Sequence, residues 1–196
     1  FSKFSENYAC MSEKYKVIDT GYSYFITITL VEWQKLFHIP LYAEIITDSI
    51  RYCQKNKGLE LFGYVIMPSH IHLIARAELR PLGEVMRDFK KFTATRIVER
   101  LSKDLEHQPM LAVFADAANR IKRNKNYKVW QDGFHPEVIT SNQFFYQKLK
   151  YIHDNPVEAA LAELPEQYPY SSARNYAELD YVLEIVFEMP QRITYC

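Results

Sequence analysis

The chain has 196 residues, 48% of them hydrophobic, and its 24 Lys and Arg balance 24 Asp and Glu. That length and composition suit about one folded domain and exclude a disordered chain. No apolar run reaches the roughly 20 residues of a membrane-spanning helix, and no basic stretch with an apolar signal core opens the sequence, so the expectation is a cytoplasmic protein with no membrane partner.

Cys10, Cys53 and Cys196 are far apart and outside any metal-binding spacing, which predicts free thiols. The zero net charge argues mildly against a nucleic-acid partner, but its distribution is uneven. Arg120, Lys122, Arg123, Lys125 and Lys128 crowd a stretch with no acid, while the segment from Asp154 to Glu188 holds its carboxylates against Arg174 alone. The basic stretch reads either as a solvated loop or as a track for a phosphate backbone.

In chain order, YSYFITITLV (22–31) is β-branched and aromatic and predicts a strand. From residue 39, IPLYAEIITDSIRYCQKN has helical spacing through Ile45, Ile46, Ser49, Ile50 and Cys53, and NKG supplies its stop. LELFGYVIM and HIHLIARA predict two strands joined as a hairpin by the PS link. A long helix follows in RPLGEVMRDFKKFTATRIVERLSKDL, with Leu82, Val85, Met86, Phe89, Ile97, Val98 and Leu101 on its apolar side. Residues 106–126 are mixed in composition and read as a long loop. YKVWQ and HPEVIT are short β candidates around the Asp132-Gly133 turn. SNQFFYQKLKYIHDN predicts a helix capped by Ser141 or Asn142 and closed at Pro156, with PVEAALAEL as a further short helix. The order predicts an α+β two-layer sandwich of ferredoxin-like, or RRM-like, type: an antiparallel sheet with helices on one face.

Within GYVIMPSHIHLIA (63–75), His70 and His72 are two apart on a strand, so their side chains share a face while Ile71 and Leu73 point the other way. Two neutral imidazoles so placed can grip a divalent metal, and equally can be hydrogen-bonded strand histidines. A histidine-triad hydrolase would carry a third histidine where this chain has Ile74. On the last predicted helix, Gln147, Tyr151 and Asn155 are four apart and line one stripe. A phenol is a weak nucleophile at neutral pH, but a metal that polarises a phosphodiester lowers the barrier to its attack. Asn155 has two readings, a metal-ligating amide or a helix cap ahead of Pro156. Tyr151 competes with the core role open to any of 15 tyrosines; Tyr146 is its nearest rival, but is followed at four residues by Lys150. His153 falls on the other side of the helix from Tyr151 and reads as structural or as a contact to backbone.

Together YVIMPSHIHLIA, DFKKFTATRI, VWQDGFHPEVI, YIHDNPVEAAL and YPYSSARNY resemble the REP-associated tyrosine transposases, members of the single-tyrosine HUH transposases in which U is a hydrophobic residue. The resemblance runs in order from about residue 22 to 176. It implies a catalytic domain over 22–176, an N-terminal extension at 1–21 and a C-terminal tail at 177–196. By it, His70 and His72 are the metal pair around Ile71, Tyr151 is the nucleophile, and Asn155 stands where many relatives have a ligating glutamine. It implies a Mg²⁺ or Mn²⁺ cofactor and a single-stranded or hairpin DNA partner, cleaved and rejoined through a 5′-phosphotyrosine. Arg87, Lys90, Lys91, Arg96, Arg120, Lys122 and Arg123 are then expected on the DNA backbone. Relatives include monomers and dimers, so either a monomer or a homodimer fits. The neutral net charge and the acidic tail with its hydrophobic YVLEIVFEMP depart from the pattern; the tail could pack on the domain, cover the DNA face or join subunits. Two other functions compete: a host-adopted DNA-binding protein that does not transpose, and, ranked last, a small metal-dependent phosphoesterase.

Overall fold

The computed structural model describes residues 21–120, 126–133 and 136–187. Cys10, Cys196, Lys122 and Arg123, and most of the expected N-terminal extension, lie outside them.

Strand β1 (Tyr24–Thr29) is followed by helix α1 (Pro40–Lys57), the hairpin of β2 (Leu59–Ile66) and β3 (His70–Ala77), and helix α2 (Leu82–Leu101). Helix α3 (Met110–Asn119), the short strand β4 (Glu137–Val138), helix α4 (Asn142–Glu158) and the short helix α5 (Ala173–Tyr176) complete the order. The four strands form one sheet in the order β2-β3-β1-β4, with every neighbouring pair antiparallel. This is the expected α+β architecture.

Alternation along the strands separates two cores. On one face Tyr24, Ile26 and Ile28 of β1 and Ile71, Leu73 and Ala75 of β3 pack with the buried faces of α1 and α2. These two helices form the layer expected on one face of the sheet. Phe25 and Ile74 point to the other face, where the structure adds α4: Phe145, Leu149 and Ile152 pack there with Phe62 and Val65. Each such buried side chain contributes about 1.5–3 kcal/mol. Leu149 of α4 packs directly over Gly63, where an added Cβ would sit 2.7 Å from Leu149 Cδ1. At Gly58 a left-handed backbone (φ 64°) ends α1, and its N–H donates to Cys53 O. Cys53 is a buried free thiol, as expected.

Three expectations are corrected. The segment read as a loop contains α3, whose Phe114, Ala117 and Ala118 are buried. Helix α4 passes through Pro156 to Glu158 instead of closing before it. The proline lies in the last turn and is itself buried, so the lost N–H costs little and Ala159 N–H still reaches Asn155 O at 3.0 Å. The short helix expected in PVEAALAEL is therefore only the end of α4, and its remainder is turn and bend.

The chain after α4 covers the outer edge of β2. Ser172 N–H donates to Tyr64 O, Tyr64 N–H donates to Ser172 Oγ, and Ile66 N–H donates to Tyr170 O, each at 2.9 Å. Further on, Val186 N–H donates to Leu61 O at 2.6 Å, and Leu183 is buried. The described part of the tail thus packs on the domain and satisfies an edge strand that would otherwise be open to pairing. Among the described residues no helix is long and apolar enough to cross a membrane.

Candidate active site

Register fixes the two histidines. Thr27 of β1 pairs with His72 of β3 and Thr29 pairs with His70, so the threonines and histidines share the face that α4 covers. His72 is 4% exposed, its Nδ1 lies 2.9 Å from Thr27 Oγ1, and its ring stacks on Phe25 with centroids 5.4 Å apart. His72 Nε2 is buried and has no hydrogen-bond partner among the described residues. A buried nitrogen left bare is uncommon in a folded protein and asks for a ligand or a water. If Nδ1 carries the proton and donates to Thr27, Nε2 presents a lone pair.

His70 is half-buried beside it, with ring centroids 4.8 Å apart. Its Nδ1 is 3.1 Å from Ser69 Oγ, and the Asn155 side chain lies beside the ring, where it favours the charged form. Burial lowers the pKa of His70, against a smaller opposing effect from Asn155. Burial, with the nearby His70 and Lys148, pulls His72 down to about 3. Both imidazoles are therefore neutral near pH 7, the form in which they can donate a lone pair.

Helix α4 supplies the third side chain. Ser141 Oγ caps the helix by accepting from Phe144 N–H at 3.1 Å, and Phe145, Leu149 and Ile152 seat its inner side on the sheet. That seating turns Tyr151 toward the histidines: its ring lies 5.2 Å from His72 and 5.9 Å from Phe25, both edge-on. Tyr151 remains 44% exposed, so the residue is open to solvent. Because α4 continues past Asn155, that residue is not the cap of a following helix, and its side chain sits between His70 and Tyr151 O, 3.5 Å from the latter. His70, His72, Tyr151 and Asn155 thus converge within one chain. Gln147 lies on the exposed surface of α4.

His153 stands apart, as expected. Its Nε2 lies 2.9 Å from Ser172 Oγ, its ring meets Tyr176 edge-on at 5.3 Å, and burial takes its pKa down to about 4. Ser172 Oγ also accepts from Tyr64 N–H, so one hydroxyl touches both the helix histidine and the β2 backbone. The contact ties α4 to the segment covering β2.

The expected basic residues are not gathered at this site. Arg87, Lys91 and Arg96 belong to α2, which packs on the opposite face of the sheet; Lys91 and Arg96 line a groove between α1 and α2. Arg96 pairs with Glu99 at 2.9 Å and Arg87 lies 3.5 Å from Asp88. Lys90 is turned inward: its Nζ donates to Gln131 O at 3.0 Å and Gly133 O at 2.7 Å, and burial lowers its pKa to about 8. It holds a loop. Arg120 pairs with Glu32 at 2.6 Å, in the turn after β1 that approaches His70.

Sequence reading missed the residues that frame the histidines. Thr27 and Phe25 were legible as same-face neighbours once β1 and β3 were paired. Lys148, whose ammonium lies 4.3 Å from the Phe25 ring centroid and 2.8 Å from Glu137, precedes Tyr151 by three residues on the same helix. Among the described residues no group of three or more His, Cys, Asp or Glu side chains is placed to hold a metal ion. Any metal here would have to rest on the two imidazoles and an amide.

No family model matches the chain, and no curated protein matches it in sequence. Among solved structures it is similar to a REP-associated tyrosine transposase bound to a REP hairpin, with a TM-score of 0.57 and 18% identity over 100% of both chains. At that identity the likeness is one of fold: the chain has the α+β fold of that transposase, an antiparallel sheet with packed helices.

Proposed function

We propose that the chain is a metal-dependent DNA-nicking and strand-transferring enzyme of the single-tyrosine HUH kind, acting on single-stranded or hairpin DNA. The observation that carries this reading is the convergence of Tyr151 with His70 and His72, with His72 Nε2 buried and unpartnered among the described residues. The fold shared with a hairpin-bound transposase supports it.

The donor set fits a divalent ion. Two neutral imidazoles and the Asn155 amide oxygen would hold Mg²⁺ or Mn²⁺, with the remaining positions left to phosphate oxygens and water. Thr27 would orient the inner ligand through Nδ1, as hydrogen-bonded partners of metal-binding histidines commonly do. When bound, the ion supplies Lewis-acid polarisation of the scissile phosphate.

The chain's own residues do the rest. The Tyr151 oxygen attacks phosphorus as its phenolic proton passes to solvent, forming a P–O bond; the bond to the 3′ oxygen breaks and that oxygen takes a proton from solvent, leaving a 5′-phosphotyrosine and a free 3′-OH. A 3′-OH from a second strand then attacks the same phosphorus and releases Tyr151, so the phosphodiester is conserved and no nucleotide cofactor is consumed. Phe25 and the buried helix seat restrict where the phenol can point, which lowers the orientation cost of the attack. In this reading one chain supplies the nucleophile and both histidines.

The test is incubation of the protein with hairpin DNA and Mn²⁺, followed by a denaturing gel. A covalent protein–DNA adduct is expected, absent in His70→Ala/His72→Ala with the fold retained by circular dichroism. Undiminished adduct in that double variant would remove the metal site. Tight hairpin binding with no adduct at any Mn²⁺ concentration would instead make the chain a DNA-binding protein on this fold.

A further inference from the structure

The turn that leaves β1 holds two consecutive residues in the left-handed region, Glu32 (φ 52°) and Trp33 (φ 54°). Neither is glycine, and this backbone is costly for any residue with a Cβ. Hydrogen bonds hold it: Val31 N–H donates to Val129 O at 2.9 Å, Trp33 N–H to Leu30 O and Gln34 N–H to Val31 O, each at 3.2 Å. Leu30 N–H donates to Ser69 O at 2.9 Å, which fixes the turn to the residue beside His70.

This arrangement does not bury the indole. Trp33 is 58% exposed, whereas Trp130, the other tryptophan of the chain, is buried and donates its Nε1–H to Thr93 Oγ1. The Trp33 ring meets His70 edge-on, with centroids 5.4 Å apart at 75°. A large aromatic surface is thus held in water, in a fixed place next to the outer histidine, with the Arg120 guanidinium in the same turn through its pair with Glu32.

We infer that Trp33 is the stacking platform for an unpaired DNA base flanking the phosphate that Tyr151 attacks; this rests on the strand-transfer reading of the site. A base offers a flat π surface whatever its identity, so the platform supplies affinity and position rather than sequence choice. Bases within a duplex are already stacked on one another, which makes a single-stranded segment the fitting occupant. Arg120 is close enough to the same turn to exchange Glu32 for a neighbouring phosphate.

The experiment measures binding of a hairpin oligodeoxynucleotide carrying a 5′ single-stranded overhang of random sequence, and of the same hairpin with an abasic overhang. Intrinsic fluorescence and affinity are the readouts. Binding of the base-bearing overhang should quench the exposed tryptophan, and the quenching should be absent in Trp33→Phe. Trp33→Ala should weaken that binding by roughly 5- to 150-fold, the range carried by base–aromatic stacking, while Trp33→Phe retains most of the affinity. On the abasic overhang Trp33→Ala should cost nothing further. Equal losses on both overhangs would assign Trp33 to supporting His70 and overturn the platform, as would unchanged affinity in Trp33→Ala. Normal adduct formation with a silent Trp33 defeats the platform and leaves the strand transfer standing; quenching without any adduct does the reverse.

Discussion

Replacing Thr27 with valine removes one oxygen from the site and leaves its shape. In the folded chain Thr27 Oγ1 lies 2.9 Å from Nδ1 of an imidazole that is 4% exposed, and whose Nε2 already lacks a partner among the described residues. Thr27→Val would leave the buried ring with neither nitrogen hydrogen-bonded. An unsatisfied buried group costs about 1–3 kcal/mol, partly offset by the added methyl, so a net loss of about 1–2 kcal/mol is expected in metal-free protein. Valine is well suited to a central strand, so the fold should persist. Urea denaturation should show a lower midpoint at unchanged slope. The ring would also lose the contact that sets its tautomer, and Mn²⁺ affinity, read by electron paramagnetic resonance, should fall about 10- to 100-fold. A midpoint and a Mn²⁺ affinity both equal to those of the parent chain would refute the claim that Thr27 orients His72.

Stability should fall as the solution is acidified below about pH 6.5, where an exposed imidazole begins to bind its proton. His72 and His153 have folded-state values near 3 and 4, so the unfolded chain takes up protons first and is favoured as the pH drops. Each contributes a loss of about 2 kcal/mol by pH 5, to be measured by denaturant titration in chelator; a flat profile from pH 7 to 5 would contradict the burial assigned to both. Lys90→Ala should destabilise the chain by about 1–2 kcal/mol through the freed carbonyls of Gln131 and Gly133, without lowering the salt dependence of DNA binding. A reduced salt slope with unchanged stability would return Lys90 to the DNA backbone. Gly63→Ala should cost about 1–3 kcal/mol, because Leu149 must move from a well-packed position. It should also reduce adduct formation through the displaced seat of Tyr151; wild-type stability and activity would show that the seat tolerates the methyl.

The alternation in β1 and β3 made both the sheet and the shared face of His70 and His72 legible, because a period of two has only one reading once one face is apolar. The four-residue spacing of Tyr151 and Asn155 placed them on one stripe but did not say against which surface. That depends on Gly63 and on the Phe62, Phe145 and Leu149 contacts, which are tertiary. Helix α3 had a readable signal in the spacing of Met110, Leu111, Phe114, Ala117 and Ala118, obscured by the mixed composition on either side. Pro156 was taken as a stop although a proline in a last turn removes only a terminal bond. Basic residues were the least legible, since charge in sequence does not tell which cations face solvent. Lys90 is turned onto backbone carbonyls, and the cations of α2 lie across the sheet from Tyr151.

The identity of the covalently linked residue tests the central claim most directly. After incubation with hairpin DNA and Mn²⁺, the adduct is digested with protease and nuclease, and the modified peptide is sequenced by mass spectrometry. The account predicts a nucleotide joined through its 5′ phosphate to Tyr151, and no adduct in Tyr151→Phe. A linkage at Tyr146 or any other residue, or an adduct that persists in Tyr151→Phe, would contradict it.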